Sequence, residues 1–125
     1  MLGAACALVL LGCANNTTFT ASEFVDKINS EGLRMELGPR QPAGADAREI
    51  FVVRLPPLPR EPDNGATGTL YEYGGSDGAE DRMRACHSSG GLLCYRVQNI
   101  VVVLENGGLE AARLSVAVRR LASSD

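Results

Sequence analysis

The chain has 125 residues and a formal net charge of −3, enough for one hydrophobic core and not for two. A mildly acidic balance argues against nucleic acid as a partner, because such domains usually carry a basic face, and against electrostatic adhesion to anionic lipid. With no Trp, three Phe and three Tyr, it offers little material for an aromatic sugar-binding platform.

The chain opens with an uncharged apolar stretch over residues 2–12. As a helix this stretch would reach about 16 Å, roughly half of a bilayer's hydrocarbon core, so it cannot span a membrane. Its length suits the apolar region of a signal peptide. Leu10-Leu11-Gly12-Cys13 follows, and Ala14-Asn15-Asn16-Thr17-Thr18 is small, polar and without apolar periodicity.

Leu10 to Cys13 resembles the lipobox of bacterial lipoproteins: an apolar residue, a small or apolar one, Gly or Ala, then the acylated Cys. The segment departs from the family in having no Lys or Arg after Met1. The resemblance covers residues 1–13. It implies a signal peptide over 1–12, cleavage before Cys13, lipidation of that thiol and a lipidated tether over 13–19. It also implies export to the outer face of the bacterial cell membrane. Anchoring by two or more acyl chains is stable. Residues 20–125 form the expected folded domain.

In an exported chain Cys6 leaves with the signal and Cys13 carries lipid. Cys86 and Cys94 remain, and an oxidising compartment favours joining them. The functional alternative is a redox or metal pair. Their spacing is wider than Cys-x-x-Cys, and His87 is the one histidine.

Thr20-x-x-Glu23 predicts a capping box. Phe19 and Phe24 flank it as a hydrophobic staple, and Ala21, Phe24, Val25 and Ile28 share one face. Gly32 ends this helix of residues 21–31. Leu33, Met35 and Leu37 alternate with polar residues, predicting a half-buried strand over 33–37. Residues 38–48 read as a loop. Ile50 to Leu55 reads as a more fully buried strand.

Residues 56–68 carry four prolines and an Asn-Gly, so they read as a long loop. Its Pro-x-x-Pro spacing suits either a polyproline II ligand or an exposed connector. Thr69 to Tyr73 is the third strand. Tyr71 and Tyr73 share one face of it. With Pro57 and Pro59 of the preceding loop, they form the expected contact surface, although core packing explains the tyrosine pair equally well.

Gly74-Gly75-Ser76 turns the chain, and Asp77-x-x-Glu80 is expected to cap a helix through about Ser88, burying Ala79, Met83 and Cys86. Ser88-Ser89-Gly90-Gly91 follows that helix, so it is read as a stop and not as a phosphate cradle. Leu92 to Val97 and Ile100 to Glu105 read as a hairpin or as one bulged strand. Asn106-Gly107-Gly108 turns into a last helix, Leu109 to Leu121, with Ala111, Leu114, Val118 and Leu121 at core spacing.

The order α-β-β-β-α-β(β)-α predicts an α+β two-layer sandwich, with about three helices on a mostly antiparallel sheet. His87 neighbours Cys86, but adjacent helical residues point about 100° apart, so a Cys–His nucleophile is disfavoured and no catalytic set is assigned. The sequence shows no cofactor motif. The leading expectation is a non-enzymatic, lipid-anchored module binding an envelope protein or a small ligand. The alternatives are a thiol or Cys–His enzyme using Cys86, His87 and Cys94, and a structural accessory subunit of an envelope complex.

Overall fold

The computed structural model describes residues 18–44, 46–57, 59–60 and 65–123. The expected signal segment, residues 1–12, and the expected lipidation site Cys13 lie outside the described residues. Helix α1 (Ala21–Ser30) starts where its sequence signals place it. Thr20 Oγ1 accepts from the Glu23 amide at 3.1 Å, and Glu23 Oε1 accepts from the Thr20 amide at 2.8 Å. Ala21, Phe24, Val25 and Ile28 are buried together, and Gly32 takes the left-handed φ of 101°.

The first strand, β1 (Glu36–Gln41), begins later than the expected 33–37 and extends into the first residues of the expected loop. Leu33 and Met35 are buried without belonging to it. Asn29 explains this: Met35 N–H donates to its Oδ1 at 2.7 Å, and its Nδ2 donates to Met35 O at 3.1 Å. One side-chain amide gives Met35 both of the partners a ladder would give. Pairing with β2 (Glu49–Leu55) then slips between Leu37↔Val53 and Arg40↔Phe51, an irregularity that takes in Pro39. An edge strand tolerates proline there, because no neighbour needs its missing N–H.

Strand β3 (Ala66–Glu72), by contrast, starts before its expected position, and Tyr73 lies just beyond it. Gly68 reads as a breaker in sequence. In the sheet it permits a close approach, since a Cβ there would lie 2.0 Å from Val103 O. Helix α2 (Ser76–Ser89) follows. Its cap is Gly75, with no side-chain hydrogen bond, in place of the expected Asp77 box; Asp77 sits in the first turn.

Residues 92–105 resolve as a hairpin of β4 (Leu93–Val97) and β5 (Ile100–Leu104), with Val97 facing Ile100 across Gln98-Asn99. Gln98 has φ 53°. Helix α3 (Leu109–Ser123) ends the fold. All pairings are antiparallel, in the order β1-β2-β3-β5-β4.

Among the described residues the α+β fold thus has three helices packed on a five-stranded antiparallel sheet. Helices lie on both of its faces, adding a layer to the expected two. Leu70, Ile100, Val102 and Leu104 join α1 and α3 in the larger core. Val101 and Tyr73 join Ala79 of α2 in a smaller one. The unbroken apolar run of β5 reflects this double burial, since neighbouring side chains on a strand face opposite ways.

Candidate functional site

The residues expected to form a contact surface are split by the fold. Leu55 pairs with Ala66 at the end of β2 nearest Pro57, and Glu49 pairs with Glu72 at the other end. Six residues of strand, about 20 Å, therefore separate Pro57 from the tyrosines. Pro59 is exposed and Pro57 half-buried, with Pro57 O accepting from Arg34 Nη2 at 3.0 Å. Leu58 and residues 61–64 of the same loop lie outside the described residues.

Tyr71 and Tyr73 do share a face, with ring centroids 6.3 Å apart. Tyr73 is 1% exposed and belongs to the core, so its ring is not offered to a partner. Gly78 makes room for it: a Cβ there would meet Tyr73 Cδ1 at 2.6 Å. Arg82 organises the pair. Its guanidinium carbon lies 4.2 Å from the Tyr71 ring centre, its Nε donates to the Tyr73 hydroxyl at 2.8 Å, and its Nη2 meets Asp46 at 3.3 Å. Burial pushes the Tyr73 phenol up from its ordinary pKa, while the hydrogen bond from Arg82 pulls the other way. That bond in turn raises the pKa of Arg82.

Cys86 and Cys94 form a disulfide with a Cα–Cα distance of 6.2 Å, tying α2 to β4. Cys86 is 4% exposed, and His87 is exposed on the adjoining helix position. Among the described residues no three His, Cys, Asp or Glu side chains are placed to hold a metal ion. No helix among the described residues is long and apolar enough to cross a membrane.

Three buried polar residues escaped the sequence reading: Glu72, Asn99 and Glu110. Asn99 reads as a turn residue, yet its side chain binds Phe19 and Tyr73 backbone groups. Glu72 accepts from the Ala21 amide at 2.7 Å and from Arg48 Nε at 2.6 Å. Strand alternation gave a signal for it, since Glu72 shares its face with buried Leu70. Glu110 pairs with Arg113, whose other nitrogen donates to Gly32 O at 3.0 Å and ties α3 to the end of α1. Together, Asn99 and Glu72 fix Phe19 and Ala21, at the start of α1, against the sheet.

Compared with protein-family models, with curated proteins and with solved structures, the chain matches none.

Proposed function

We propose that this chain is a lipid-anchored extracytoplasmic protein whose folded part works as a non-enzymatic interaction module. The observation that carries the reading is Leu10-Leu11-Gly12-Cys13, placed after an uncharged apolar stretch and before a polar tether. Two structural features support it. A disulfide between Cys86 and Cys94 suits an oxidising compartment. The clamp of Asn99 on Phe19 gives a tethered chain a fixed point of entry into the fold. A catalytic role for Cys86 beside His87 is disfavoured, because that sulfur is already bonded and buried.

The test is the intact mass of protein purified from bacterial membranes, with and without reduction. The expected mass is that of residues 13–125 plus acyl chains, rising by about two hydrogens on reduction. An unmodified full-length mass would overturn the anchor.

A further inference from the structure

We propose that the open edge of β4 is a docking groove for an extended acidic segment of a partner protein, which adds to the sheet as a sixth strand. The inference deepens the interaction-module reading and rests on it. Among the described residues, strand β4 lies outermost and pairs with β5 alone. Val97 and Ile100 close the turn, so ladder alternation directs the N–H and C=O groups of Cys94 and Arg96 away from β5. Among the described residues no backbone bond outside the ladder takes them. The other sheet edge, β1, is guarded by Pro39 and a slipped register, devices that blunt strand addition. Strand β4 carries neither.

Helices α2 and α3 flank that edge from opposite faces of the sheet, leaving a groove of about 540 Å³ along it. Met83 and Val118 provide apolar walls, and among the described residues the rim carries Arg84, Arg96 and Arg119 against one acid, Glu80. Arg84 pairs with Asp81 on its own helix, and Arg96 donates from Nε to Gln98 O at 2.8 Å while meeting Glu80 at 3.9 Å. Arg119 has no ion-pair partner among the described residues. A chain of net charge −3 thus presents a net positive rim beside unpaired strand backbone.

Charge complementarity selects an acidic occupant, and the strand edge selects an extended one. A second copy is a poor fit, because β4 paired with β4 would set the arginines of both copies against each other. The disulfide holds the α2 wall to β4 before any ligand arrives, so little ordering cost falls on binding.

The experiment uses the full chain in mild detergent and fluorescence anisotropy with labelled peptides of four Glu-Val repeats. The controls are four Lys-Val repeats and the acidic peptide N-methylated at alternate residues. The acidic peptide is expected to bind, the basic one not to, and N-methylation to weaken binding at least about tenfold by removing strand hydrogen bonds. The double variant Arg84→Glu/Arg119→Glu, at exposed positions, should lose at least about tenfold in affinity with an unchanged circular dichroism spectrum. Equal binding of acidic and basic peptides, indifference to N-methylation, or no binding by the folded chain would overturn the proposal. A dimer that the acidic peptide cannot displace from the groove would assign it to a second copy and overturn the proposal likewise. The intact-mass measurement is independent: an unmodified mass with acidic peptide bound removes the anchor and leaves the groove.

Discussion

Phe19 and Asn99 stand 80 positions apart and exchange two hydrogen bonds: Phe19 N–H donates to Asn99 Oδ1 at 2.7 Å, and Asn99 Nδ2 donates to Phe19 O at 2.9 Å. The same Nδ2 donates to Tyr73 O at 2.7 Å, and Tyr73 N–H donates to Asn99 O at 2.9 Å. The side chain is fully buried, so its bonds replace water for three backbone groups at once. Asn99→Ala orphans those groups and should cost about 2–4 kcal/mol, read as a lower urea midpoint at constant slope. An unchanged midpoint would show that water takes over the role.

Glu72 joins the start of α1 to the residue before β2 through Ala21 N and Arg48 Nε. Its two partners are unequal. The Ala21 amide is buried, whereas the Arg48 side chain is 48% exposed and water can replace its bond. Glu72→Ala should therefore destabilise by about 1–3 kcal/mol, and Arg48→Ala by less than about 1 kcal/mol. Equal losses in a double-mutant cycle would mean that the ion pair, and not the amide, holds the helix.

The Cys86–Cys94 bridge closes a loop of sequence separation 8. Constraining so short a loop should contribute roughly 2–3 kcal/mol. Cys86→Ser and Cys94→Ser should lower the melting temperature to similar degrees, and the double variant by no more than either. Markedly unequal single losses would reveal a separate task for one cysteine.

Burial pushes the phenols of Tyr73 and Tyr95 above their ordinary pKa. The unfolded chain therefore releases these protons first as pH rises. Their stabilisation is complete below about pH 10, the unfolded value, and fades as pH climbs toward the raised native values. Urea midpoints measured from neutral to strongly alkaline pH should fall in that window. Tyr73→Phe should make the fall shallower while lowering stability at neutral pH, through the lost bond from Arg82. A fall of unchanged steepness in this variant would take Tyr73 out of the account.

Features made by neighbours in the chain were legible without the fold. The capping box at Thr20, the left-handed Gly32, the apolar stripe of α3 and the pairing of Cys86 with Cys94 each depend on residues close together in sequence. The α+β class follows from the order of such segments. The candidate contact surface was legible only in part: Tyr71 and Tyr73 do share a face, but β2–β3 register places Pro57 at the far end.

Tertiary structure alone decided the rest, because distant partners set it. Met35 leaves the sheet because Asn29 satisfies its backbone. Gly68 enters it because β5 approaches too closely for a side chain. Asn99 turns inward because Phe19 and Tyr73 need its amide. Local propensity acts over a few residues, whereas a buried polar group must find its partner wherever the chain brings one.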